Sequence, residues 1–181
     1  MSSLAPSMHI LMGGRLLCAV VLIVSQVAAC DGDDPASDPC ASGADAAIVL
    51  GKGVGGAFTP YEDGESVQLD VAPQGGFGVT VVISTEALAA GGDNLVDIQM
   101  DVEVDGSTAG AFLLEDAALL CEPSVGGRFD GAVVGFDPNQ YSSFDDLLDL
   151  NGQRVDLVVS VTDADGASAT ARQSVTLDVG S

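Results

Sequence analysis

Leu95-Val96-Asp97-Ile98-Gln99-Met100-Asp101-Val102-Glu103-Val104-Asp105 sets apolar and polar residues in strict alternation. Successive side chains of an extended chain point to opposite faces. Period two therefore places Val96, Ile98, Met100, Val102 and Val104 on one side and Asp97, Gln99, Asp101, Glu103 and Asp105 on the other. The stretch predicts a strand with one face in a core and the other in water.

The same signal recurs on both sides of it. Val67, Leu69 and Val71 alternate with Ser66, Gln68 and Asp70, and Val79-Thr80-Val81 resumes after a Pro73-Gln74-Gly75-Gly76 turn. Val155, Leu157, Val159 and Val161 form another strand, closed by Asp163-Ala164-Asp165-Gly166. Ala167, Ala169, Ala171, Val175, Leu177 and Val179 supply the inner face of the last one, and residues 47–51 and 128–136 read as two more. Strands at this spacing, separated by Gly- and Asp-rich turns, predict an all-β fold, an antiparallel β-sandwich. Residues 111–121 fit either a short amphipathic helix or two strands turning at Glu115-Asp116. Residues 142–150 predict one short crossover helix: Ser143 and Asp146 have capping-box spacing, and Asn151-Gly152 ends the segment. A helix there would join the two sheets in a Greek-key connection. Tryptophan is absent, so the buried Trp of antibody-type domains is missing.

The first thirty residues have a different character. Arg15 precedes an apolar run from Leu16 to Val27, broken only by Ser25 and Gln26, and Val27-Ala28-Ala29 leads into Cys30. That is the order of a secretory signal: charge, apolar stretch, small residues. Gly13-Gly14-Arg15 cuts the apolar stretch below the roughly 20 residues that a spanning helix needs. The end of the run resembles the lipobox of bacterial lipoproteins, in which the cysteine sulfur receives a diacylglyceryl group before cleavage. The resemblance implies that Cys30 carries the lipid and becomes the mature N-terminus. Cys18 follows Arg15-Leu16-Leu17 and lacks the small residues. The expected organisation is a lipoprotein signal peptide at 1–29, an acidic flexible tether at 30–46 and one sandwich domain at 47–181.

All 27 acidic residues lie after Cys30, against Lys52, Arg128, Arg154 and Arg172, a mature net charge of −23. Such a chain repels nucleic acid and anionic surfaces, so nucleic-acid binding is not expected. Cys40 and Cys121 remain once Cys30 is used for lipid, and an even pair in an exported chain predicts a disulfide.

Catalysis has little to draw on, and no enzyme activity is expected. The sole histidine, His9, lies in the signal, which leaves no Ser-His or Cys-His nucleophile and no histidine-ligated zinc. Paired carboxylates are plentiful, but an alternating outer face produces them by default. Gly51, Gly53, Gly55 and Gly56 lack the lysine-serine pair of a phosphate loop and read as a glycine-rich β turn. No cofactor is expected, with calcium the one ligand kept open. Asp163 and Asp165 could supply oxygens, Asp130 and Asp137 could add to them, and no Glu stands where a complete calcium loop has one. The same Asp-Ala-Asp-Gly also suits a plain hairpin tip.

Ile48-Val49-Leu50-Gly51, Phe58-Thr59-Pro60-Tyr61-Glu62-Asp63-Gly64-Glu65 and Ala72-Pro73-Gln74-Gly75-Gly76-Phe77 carry a wider resemblance, as does the closing hairpin over residues 155–169. Together they are similar to small myxobacterial-type lipoproteins of unknown function with a single Ig-like β-sandwich domain. Gly78 departs from that pattern, which often has His. The resemblance implies an Ig-like sandwich and no assigned activity. Asp31 after the lipidated cysteine resembles an inner-membrane retention signal of enteric bacteria, a rule that does not carry over to myxobacteria. The outer membrane is therefore favoured over the inner.

The functional expectation is a lipid-anchored cell-envelope protein that displays a binding or adhesion module for an envelope protein or glycan. The alternatives are a structural or accessory envelope lipoprotein without a specific ligand, and a calcium-dependent adhesion domain. Phe136, Tyr141 and Phe144, around the expected crossover, are the best candidates for an exposed aromatic patch.

Overall fold

The computed structural model of the protein describes residues 38–72, 76–123 and 125–180. The expected signal peptide, the expected lipidation residue Cys30, the first part of the expected tether and most of the Pro73-Gln74-Gly75-Gly76 turn lie outside the described residues. Among the described residues no helix is long and apolar enough to cross a membrane.

The chain forms β1 (Ala47–Lys52), β2 (Thr59–Pro60), β3 (Glu65–Gln68), β4 (Asp70–Val71), β5 (Phe77–Glu86), β6 (Leu95–Val104), β7 (Ser107–Ala118), β8 (Leu120–Glu122) and β9 (Gly126–Gly135). A short helix α1 (Phe144–Leu148) follows, then β10 (Arg154–Asp163) and β11 (Ser168–Asp178). The first sheet has the order β2-β1-β5-β9-β8, with β4 also on β5, and the second has β3-β11-β10-β6-β7. This is an all-β, two-sheet sandwich.

The alternation read from the sequence places the core. Val96, Ile98, Met100 and Val102 of β6 are buried, and they pair across the second sheet with β10, where Val155, Leu157, Val159 and Val161 share their face. Leu50 of β1, Val79, Val81 and Ile83 of β5 and Val134 of β9 meet them from the first sheet. Each such side chain withdrawn from water stabilises the fold by about 1.5–3 kcal/mol before entropy is counted.

The crossover helix forms where its cap predicts. The Ser143 side chain accepts from the Asp146 N–H, the Asp146 carboxylate accepts from the Ser143 N–H, and Leu147 is buried. Gly152, at φ +75°, then turns the chain toward β10.

Four expectations are refined. Residues 66–71 are not one strand. Val67 points into the second sheet's core and the Leu69 N–H still donates to Asp178 O, but Asp70 and Val71 pair with β5 in the first sheet. The chain changes sheets there, which leaves Val71 69 % exposed despite its place in the alternation. The sandwich is also not purely antiparallel, because β3, just before this crossing, lies at the edge of the second sheet and runs parallel to β11. Residues 111–121 are not helix but the end of β7 and the start of β8, which part at Leu119, and Glu115-Asp116 is a bulge within β7, not the turn. Val96 faces Ala117 while Ile98 faces Leu114, and Asp116 absorbs the extra residue at φ +54°. Finally, residues 38–46, read as the end of the tether, lie against the domain. Ala90 N–H donates to Cys40 O and Gly43 N–H to Ala87 O.

Candidate functional site

An open groove of about 730 Å³ lies between β7 and β9. It exists because β8 is short. That strand spans three residues and pairs only with Gly126, Gly127 and Arg128, so the rest of β9 has β5 on one side and no strand on the other among the described residues. β7, the outermost strand of the second sheet, runs beside this bare edge.

β7 and the end of β9 touch near Gly110 and Gly135. Asp137 N–H donates to Ala109 O at 2.8 Å. A Cβ on Gly110 would come 2.1 Å from Gly135 O, so only glycine lets the backbones approach this closely. Beyond that contact the strands part, and Gly110, Ala111, Phe112, Gly131, Ala132 and Val133 line the opening. The lining is mostly small and apolar. Asp137 stands at one end, its carboxyl held below the usual range by the Asn139 N–H and side-chain amide and by Gln140. Thr80, also in the lining, donates its hydroxyl to Asp70.

Among the described residues no lysine or arginine side chain is without a carboxylate partner. Lys52 pairs with Glu65, Arg154 with Asp63, and Arg128 with Asp130 at 2.9 Å and Glu122 at 3.5 Å. Arg172 bridges Glu103 at 2.7 Å and Asp156 at 2.9 Å. Glu103 and Asp156 are directly opposed across β6 and β10, so Arg172 separates two like charges that the register forces together. Neighbouring Ser174 donates to Asp156, and that bond, followed by Arg172, holds the carboxyl below its usual range.

Cys40 Sγ lies 2.06 Å from Cys121 Sγ, at bonding distance, with Cα atoms 5.8 Å apart. Asp163 sits close by in chain order to the β10–β11 hairpin tip and is only 5 % exposed. Its Oδ1 accepts from the N–H groups of Asp165 at 3.1 Å and Ala167 at 2.9 Å. Its Oδ2 accepts from the buried Ala89 N–H at 3.0 Å and from the Ser42 hydroxyl. Burial alone would raise this carboxyl's pKa, but the donors from Ala89, Ser42, Ala167 and Asp165 outweigh it and bring it below the ordinary value.

That arrangement bears directly on the calcium residues. The oxygens of Asp163 are already engaged by four protein donors, and Asp165 accepts from Ser42 at 3.1 Å. Asp130 is held by Arg128 and Gly55 N–H, and Asp137 by Asn139 and Gln140, so neither is brought to the hairpin tip. Among the described residues the one close cluster of potential ligands is Asp38, Cys40 and Cys121, two of which are the bonded sulfurs. Of the four glycines, Gly51 lies in β1 and Gly53 to Gly56 form a turn, with Gly56 N–H donating to Gly53 O at 3.0 Å.

The aromatic trio does not form one exposed patch. Phe136 is 7 % exposed and belongs to the core, where it meets Tyr141 edge-on with ring centroids 5.2 Å apart. Phe144 is 42 % exposed and packs separately on Phe77. The alternation of residues carries no mark of the groove. Its signal would have been small residues in two strands, Gly110-Ala111 and Gly131-Ala132, where bulky ones normally pack.

Comparison of the chain with protein-family models, with curated proteins and with solved structures gives no match.

Proposed function

We propose that this is a lipid-anchored cell-envelope protein, tethered through Cys30, whose Ig-like sandwich serves as a non-catalytic binding module. The observation that carries the binding role is the open groove beside the unpaired part of β9. A domain with only a structural role would have no reason to leave a strand position empty over small side chains.

The Ig-like assignment draws support from strand order. An Ig constant-type sandwich sets strands A, B, E and D in one sheet and C, F and G in the other. Here β1-β5-β9-β8 follows the first pattern and β11-β10-β6 the second, with β7 as an added outer strand. The anchor rests on Val27-Ala28-Ala29-Cys30 and the apolar run before it. The outer membrane is the favoured address.

Cys30→Ser tests the anchor. The parent should incorporate labelled palmitate and fractionate with membranes, because several acyl chains together hold firmly where one binds marginally. The variant should take up no label and leave the membrane fraction. A variant that stays membrane-bound to the same extent as the parent refutes the lipoprotein reading.

A further inference from the structure

We propose that the unpaired edge of β9 at Val133 takes up an extended, cationic peptide segment of a partner protein as an added strand. This rests on the reading of the domain as a binding module and names the partner's class and the way it is held.

The phase of the β5–β9 ladder carries the argument. Phe136 N–H donates to Phe77 O at 2.9 Å, so Phe77 and Phe136 form a hydrogen-bonded pair. Such pairs alternate along an antiparallel ladder. Val79 with Val134 and Val81 with Ala132 are therefore bonded pairs, whereas Thr80 with Val133 is not. The N–H and C=O of Val133 consequently point away from β5, into the groove. β8 stops short of this position and no other strand pairs with it among the described residues. An exposed row of backbone groups is a template for another strand. The small lining at Ala111, Gly131 and Ala132 leaves room for a backbone to lie alongside.

Charge selects the occupant. Lys52, Arg128, Arg154 and Arg172 are each already paired with carboxylates. Asp137 lines the groove, and Asp70 is joined to it through Thr80. A second copy of the chain would carry the same excess of acid and be repelled. A partner segment with alternating basic residues would meet the opposite field while its backbone completes the first sheet.

The test uses the purified full mature chain and three synthetic heptapeptides. One alternates lysine with valine, one alternates glutamate with valine, and one alternates lysine with proline, which keeps the charge but removes every second N–H. Fluorescence anisotropy gives affinity, and amide exchange followed by NMR gives location. The lysine–valine peptide should bind at least tenfold more tightly than either control and slow exchange at the Val133 amide. Ala111→Arg, at an exposed position in the groove wall, should weaken that binding at least tenfold while the melting temperature stays near the parent's. Equal binding of the lysine–proline peptide, or no protection at Val133, overturns the proposal and leaves charge attraction alone. Protection of Val133 without peptide, together with a dimer in sedimentation, overturns it in favour of a second copy. A natural partner that protects a different face would refute this site while leaving the binding-module reading intact.

Discussion

Removing the buried Asp163 carboxylate should destabilise the domain strongly, because four donors from three parts of the chain converge on it. Asp163→Ala leaves the Ala89 N–H, which is buried, without an acceptor. An orphaned buried donor costs about 1–3 kcal/mol. The bonds from Asp165, Ala167 and Ser42 are only part-buried, so water replaces some of what is lost. The total is about 3–5 kcal/mol, which for a domain of this size lowers the melting temperature on the order of 10 °C. Asp163→Asn should fall between parent and Ala, because its one oxygen can still serve the hairpin N–H groups while its NH₂ would face another donor. Thermal melts followed by circular dichroism check the order. The pH dependence supplies a second check. The folded pKa lies below the ordinary 3.8, so the carboxylate's contribution is fully present above the unfolded value and is lost as pH falls through the folded one. The gap between parent and Asp163→Asn should stay constant above about pH 5 and close in stronger acid. A loss of less than about 1 kcal/mol in Asp163→Ala would refute the reasoning.

Three further outcomes follow from the same structure. Reduction of the Cys40–Cys121 pair, 81 residues apart, should lower stability by about 4.5 kcal/mol if loop closure acts through the unfolded chain, and the untreated protein should show neither thiol to an alkylating agent. Arg172→Met should lower the melting temperature and make it more salt-sensitive, since Glu103 and Asp156 would then face each other unscreened, and an unchanged melt would show that the bridge contributes nothing. Added salt should raise stability of so acidic a chain, with calcium and magnesium acting alike at equal ionic strength. Calcium-selective stabilisation that grows with the logarithm of concentration and disappears in Asp165→Ala would instead establish the calcium-dependent adhesion reading.

Much of the fold is legible in the sequence because its signals are local. β6 and β10 follow from alternation alone, and the helix from Ser143 and Asp146, three residues apart and bonded reciprocally. Other features depend on contacts far along the chain. Nothing between Ser66 and Val71 announces a change of sheet, because the choice belongs to Asp178 and Gly78 on the receiving strands. Asp163 stood out as an oxygen-rich turn residue, yet its role is set by Ser42 and Ala89, 121 and 74 residues away.

The groove is the extreme case of that dependence. A strand advertises itself by what it contains, and β9 reads as a strand whether or not a neighbour covers it. Its bare edge is a relation between lengths, ten residues in β9 against three in β8, and it opens only because Leu119 turns the chain from one sheet to the other just before β8 begins. Lengthening β8 so that it covers Val133 would preserve every local signal in the sequence and remove the site. The proposed binding role of this domain therefore depends on the register of its strands, one level above the alternation that makes them.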